Sequence, residues 1–189
     1  MSPAPSFIIL GCWIIFVAYW IANALSVKAT AERKSFASSL SYRIPCLVGG
    51  VMVAKFHNLH YPFYLPITPE NVFTYWLGAP VCVAGLAMAI WARWTLADNW
   101  SGSIQFKQDH QLIRKGPYRF VRHPIYTGIL IMCVAPAVQF GRLHCWLGFL
   151  IIGVGLWIKL KQEEVVMMEH FPEYAAYKKE VKALVPFVI

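Results

Sequence analysis

The stretch GPYRFVRHPIYTG (116–128) sets two arginines, a histidine and two tyrosines against an apolar run that begins at Ile125. A second polar group, Lys159, Lys161, Glu163 and Glu164, follows another apolar run further along the chain. Imidazole and carboxylate groups move protons near neutral pH, carboxylates hold amines, and arginine holds anions. Pro124 suits the first turn of a helix, where its missing N–H costs nothing, so His123 falls in the cap region and Tyr126 begins the helix. N–H groups at a helix start, with Arg122 beside them, attract a carboxylate, and Glu163 or Glu164 attracts an amine. The set suits a zwitterion with an aromatic or adenine-like part. Gly128, Gly148, Gly153 and Gly155 permit close approach of helices or of a ligand. The plainer reading is interface anchoring, which Arg114, Lys115 and Arg119 fit well.

The elements that must position these groups are apolar. Of 189 residues, 58% are hydrophobic and 14% charged, against roughly 25% charged in a soluble domain. Five apolar stretches stand out, at 7–27, 44–65, 72–92, 125–140 and 145–160, and the expectation is an all-α integral membrane protein of about five transmembrane helices in one domain, 1–189. The second is the weakest, because it contains Lys55, His57 and His60. The short turn GRLH (141–144) makes the last two a hairpin, so the start of one and the end of the other share a membrane face. His123 and Tyr126 are thereby expected near Glu163 and Glu164.

Charge placement orients the chain. Lys and Arg crowd the 28–43 and 93–122 loops and the tail, while 66–71 has none, so the N-terminus is expected outside and the C-terminus in the cytosol. The net charge of +8 then reflects anionic headgroups and cytosolic loops, with no nucleic-acid partner implied. The five cysteines show no C-x-x-C pair, which argues against a disulfide framework or a metal site. The apolar start without a basic n-region argues against a cleaved signal peptide. After Glu164 the tail has a mildly amphipathic helical pattern broken at Pro172, and Val181, Leu184 and Val185 are placed to rest on headgroups.

From NWSG (99–102) through HQLIRKGPYRFVRHPIYTG (110–128) to KQEEVVMMEHFPEYAAYKKEVKALVP (161–186), the chain resembles the membrane-bound isoprenylcysteine carboxyl methyltransferase family, as a short bacterial or archaeal-type member. Arg-His-Pro-x-Tyr-x-Gly, a hydrophobic hairpin, Glu-Glu, Phe-x-x-Tyr-x-x-Tyr and a near-terminal Pro occur in the family's order. The resemblance covers 99–186, the catalytic half of such enzymes. It implies S-adenosylmethionine-dependent methyl transfer to a lipophilic acceptor, in a prokaryotic inner membrane, with the cofactor held by the cytosolic loop and C-terminal helical segment. It implies that His123, Pro124, Tyr126, Gly128 and Tyr118 line the cofactor pocket, with Gly116 on the approach. Glu163 and Glu164 bind the amino-acid end and, with Arg122, shape the reaction centre. Asn99, Trp100 and Lys159 are implied to face the substrate. Lys159 or Lys161 stands where the family commonly has an arginine before the acidic pair, and HFPEY lacks a glycine often found after the phenylalanine.

A sulfonium methyl is already activated, so transfer chiefly requires alignment and exclusion of water. A carboxylate acceptor needs no base; an amine would give its proton to Glu163, Glu164 or His123. An isoprenylcysteine-like carboxylate is the leading acceptor and a phospholipid amine the alternative. An NADPH-dependent sterol or enone reductase is a further reading, since Arg114, Lys115, Arg119 and Arg122 would suit a 2′-phosphate. The Glu-Glu pair favours a zwitterion over a polyphosphate. A non-enzymatic membrane scaffold is the remaining reading, and oligomeric state is left open.

Overall fold

The computed structural model describes residues 2–24, 32–33, 36–54, 61–97, 105–106 and 112–188. Among them are six α-helices: α1 (Ala4–Ala24), α2 (Phe36–Ala54), α3 (Val72–Leu96), α4 (Pro124–Phe140), α5 (Leu143–His170) and α6 (Tyr174–Glu180). A two-residue antiparallel pair joins β1 (Glu32–Arg33) to β2 (Gln105–Phe106), and a 3₁₀ turn spans Gly116–Arg119. Lys55, His57, His60, Asn99 and Trp100 lie outside the described residues.

Local chemistry sets the boundaries. Asn71 caps α3 by accepting from the Thr74 N–H at 2.9 Å while Thr74 Oγ1 accepts from the Asn71 N–H at 3.2 Å. Pro124 opens α4, and Gly141, at φ 64°, closes it in the left-handed conformation. α5 runs on through the Lys-Gln-Glu-Glu segment to His170 and stops ahead of Pro172.

Missing side chains fix the packing. A Cβ on Gly128 would lie 2.7 Å from the Gly85 carbonyl oxygen, so α3 and α4 meet backbone to backbone. The same holds for α2 and α5, where a Cβ on Gly49 would lie 2.6 Å from the Gly148 carbonyl oxygen. Further along, Gly155 sits against Tyr42 and Cys46, which makes α2 and α5 antiparallel. α1 runs parallel to α3, with Ser6 beside Tyr75 and Ile9 beside Gly78. Exposed Phe7, Ile14, Leu47 and Phe73 give the bundle the apolar exterior that lipid requires.

The expectation of about five transmembrane helices is corrected. Among the described residues, three helices are long and apolar enough to cross a membrane, within Ala4–Asn23, Val72–Leu96 and Leu143–His170. The chain is therefore a multi-pass helical membrane protein with fewer full-length spans than hydropathy suggests. α4 has 17 residues, about 25 Å of helix against a hydrocarbon core of about 30 Å. The 44–65 stretch does not coincide with one helix: α2 begins in the polar segment before it and ends at Ala54. Hydropathy over a window counts apolar residues whether or not they continue one helix.

The polar ends sort into two groups. At one end, Ile67 donates to the Gly141 carbonyl at 2.6 Å, and Arg142 pairs with Glu70 at 2.8 Å. At the other end lie the β1–β2 pair, the 3₁₀ turn, the start of α4, the end of α5 and the tail.

Candidate functional site

The tail builds the site by pairing with the segment before α4. Val121 bridges Lys182 in parallel, and the Arg122 and His123 N–H groups donate to the Lys182 and Ala183 carbonyls at 2.8 and 2.9 Å. Thr127 Oγ1 adds a bond to the Leu184 carbonyl at 2.7 Å. The Tyr177 hydroxyl donates to the Tyr118 carbonyl at 2.6 Å, fastening α6 to the 3₁₀ turn. Burial pushes the Tyr118 phenol well above its ordinary pKa and that of Tyr177 up to about 12, the latter against the pull of Arg122 and Arg114. Both hydroxyls stay protonated, which the bond from Tyr177 requires.

Beneath this seam lies a buried charge network. Arg122 donates from Nε to Glu164 Oε1 at 2.9 Å and from a terminal nitrogen at 2.5 Å, and its other terminal nitrogen reaches the Lys178 and Val181 carbonyls. Lys178 Nζ stands 2.8 Å from Glu164 Oε2. Glu164 is only 1% exposed, so charge-assisted partners must replace its hydration. His123 Nε2 approaches Glu164 Oε1 at 3.5 Å, yet this buried nitrogen forms no hydrogen bond.

Glu163, one residue earlier, is more open, with 20% of its side chain exposed. Its Oε1 accepts from the Tyr126 hydroxyl at 2.6 Å, and its Oε2 lies 3.7 Å from His123 Nδ1. The His123 and Tyr126 rings are parallel, with centroids 5.5 Å apart. Lys159 Nζ stands 3.8 Å from Glu163 and over the rings of Tyr126 and Tyr42. This group offers a carboxylate, an imidazole and flat rings at one place, which can hold an ammonium and stack an aromatic ligand part.

The structure thus brings together Arg122, His123, Tyr126, Lys159, Glu163 and Glu164. Gly128 instead turns its bare side toward α3, and Pro124 and Tyr118 are buried beside the cluster. Gly116 packs against Thr95 at φ 58°, a backbone state that favours glycine. Arg114 pairs with Glu180 and lies over the Tyr177 ring at 5.0 Å, while Arg119 is exposed. Sequence reading passed over Lys178 and Tyr42. The run Tyr174–Glu180 looks like a solvated helix end, and nothing in its spacing announces a partner on α5.

Comparison with known proteins points the same way. The isoprenylcysteine carboxyl methyltransferase (ICMT) family matches residues 76–169. Protein-S-isoprenylcysteine O-methyltransferase of Homo sapiens is 27% identical over 154 residues, covering 70% of this chain and 53% of that protein. This chain therefore spans about half the length of the human relative. YpbQ of Bacillus subtilis, an uncharacterised protein, is 21% identical over 165 residues, covering 80% of this chain and 98% of that one. The solved structure of the eukaryotic intramembrane Ras methyltransferase ICMT shares the fold at TM-score 0.53 and 18% identity, over 84% of this chain and 55% of that one. The segment that carries Arg122, His123, Tyr126, Lys159, Glu163 and Glu164 is therefore, at the level of family, a match to isoprenylcysteine carboxyl methyltransferase.

Proposed function

We propose that this chain is an S-adenosylmethionine-dependent methyltransferase acting on a lipophilic acceptor, by carboxyl O-methylation of an isoprenylcysteine-like substrate. The observation that carries the reading is Glu163: a partly open carboxylate held by Tyr126, facing His123, inside the matched segment. The residues fit the cofactor, because the buried His123 Nε2 lacks a hydrogen-bond partner and Glu163 is exposed enough to receive an amine. When bound, S-adenosylmethionine supplies a sulfonium-activated methyl group to the acceptor oxygen.

The chain's own residues bind, align and exclude water. Glu163 takes the ammonium of the methionyl end, and His123 and Tyr126 present flat faces to the adenosyl part. Glu164 and Arg122 act from beneath, holding His123 and the tail in register. Lys159 faces the acceptor, whose apolar tail stays among the helices, and the family resemblance gives Asn99 and Trp100 a part in the same substrate contact. Tyr118 and Pro124 close the wall. A carboxylate acceptor attacks without a base, so no group here has to remove a proton. The basic ends support an orientation with the site in the cytosol and the N-terminus outside. The near-complete coverage of YpbQ supports a short member of bacterial or archaeal type, in a prokaryotic inner membrane.

The test is incubation of purified protein with methyl-labelled S-adenosylmethionine and membrane extract, followed by identification of the labelled product. A base-labile methyl ester is expected. A base-stable N-methyl lipid would move the acceptor to a phospholipid amine. Binding of NADPH with no response to S-adenosylhomocysteine would overturn methyl transfer itself.

A further inference from the structure

Lys159, Tyr42, Tyr126 and Glu163 converge from three helices on one small volume. The Lys159 ammonium lies 5.3 Å from the Tyr126 ring centroid and 5.5 Å from that of Tyr42. Its third neighbour is Glu163 Oε1 at 3.8 Å, the oxygen that also accepts from Tyr126. Tyr42 and Tyr126 are buried, at 6% and 8% exposure, and Lys159 itself keeps 17%. Two π faces and a carboxylate around one positive charge make a receptor for cations, strongest where water is scarce.

We propose that this tyrosine–carboxylate box, on the Oε1 side of Glu163, is the subsite for the sulfonium of the methyl donor, and that Lys159 is its resident cation, displaced when a sulfonium enters. The inference rests on the methyltransferase reading and names what one part of that site recognises. A carboxylate beside two buried rings needs a counter-charge while the site is empty, because an unpaired ion there is costly. Lysine meets that need reversibly: its charge is a compact head on a flexible four-carbon stem, unlike the planar arginine fork. Once displaced, the same ammonium is free to face the acceptor's carboxylate. One side chain thus links arrival of the donor to readiness for the acceptor.

The box distinguishes ligands by charge. Both ligands carry the ammonium that Glu163 receives on its His123 side, but only S-adenosylmethionine is also cationic at sulfur, so only it competes for the Lys159 position. The experiment is calorimetric titration of both ligands into the detergent-purified protein and its Lys159→Gln and Lys159→Met variants. Removing the resident cation is expected to tighten S-adenosylmethionine about tenfold while S-adenosylhomocysteine changes less than about twofold, the scale of a partly desolvated cation–π contact. Retained S-adenosylhomocysteine binding also shows that the variants are folded. If both ligands shift together, or S-adenosylmethionine weakens selectively, the inference is overturned while methyl transfer stands. If the unaltered protein binds neither ligand, the methyltransferase reading falls and the inference with it. Trimethylsulfonium is the second probe, expected to raise the melting temperature of Lys159→Gln and not that of the unaltered protein. No difference between the two would count against the box on grounds independent of the adenosyl part.

Discussion

Lys178 of α6 places its ammonium 2.8 Å from the Glu164 carboxylate of α5, and so supplies from the tail the second cation of a buried network begun by Arg122. The pairing is long-range in sequence and short in space. It makes the tail part of the site's foundation, because Glu164 without its partners would be an uncompensated charge.

Glu164→Gln should therefore destabilise the protein more than most single changes. Removing one partner of a buried ionic group costs about 3–5 kcal/mol. Lys178→Met should cost less, since Arg122 still donates to Glu164 through two nitrogens. Thermal aggregation in detergent, followed by fluorescence-detected gel filtration, orders the three proteins. Equal midpoints for Glu164→Gln and the parent would remove the network from the foundation.

Glu163→Gln should separate binding from folding. The amide oxygen can still accept from Tyr126, so the fold is expected to persist. Loss of a charge-assisted contact of about 1.5–3 kcal/mol weakens S-adenosylhomocysteine binding roughly 10- to 100-fold. Calorimetry reads the affinity, and an unchanged dissociation constant would exclude Glu163 from the ligand.

Glycine substitutions offer a matched contrast. Gly85→Ala forces a methyl to within 2.7 Å of the Gly128 carbonyl oxygen, whereas Gly153→Ala meets nothing nearer than Leu130 Cδ2 at 3.8 Å. The first is expected to cost about 1–3 kcal/mol through overpacking, and the second close to nothing. Their melting temperatures in one detergent decide the matter.

Tyr177 should make stability fall in alkali. Its folded pKa is raised from 10.0 to about 12, so the unfolded chain loses its proton first. Stability is then full below about pH 10 and declines as pH rises toward 12. Tyr177→Phe removes this part of the decline, and by deleting the bond to the Tyr118 carbonyl costs about 1–3 kcal/mol near neutrality. A melting series from pH 8 to 11 for both proteins tests the sign.

The meeting of His123 and Tyr126 with Glu163 was legible in the sequence, since two apolar runs joined by a short turn leave their polar ends at one face. Span number was not legible, because residues 61–65 continue the apolar composition of the 44–65 stretch but lie outside α2. The difference between Glu163 and Glu164 was equally hidden. Adjacent carboxylates on one helix point about 100° apart, and only tertiary packing decides that one meets Arg122 while the other meets Tyr126. Gly128 belongs to the same class: a small residue reports that something comes close, without saying whether it is a ligand or α3.

The glycine contacts have a mechanical consequence. They weld α3 to α4 and α2 to α5 as two slabs, each closed backbone to backbone, while α4 and α5 meet less extensively. His123 and Tyr126 ride on the first slab, and Lys159, Glu163 and Tyr42 on the second. His123 faces Glu163 at 3.7 Å from one slab to the other. The Tyr126–Glu163 hydrogen bond, at 2.6 Å, crosses that seam, so any sliding of one slab against the other is felt first by the residues of the site.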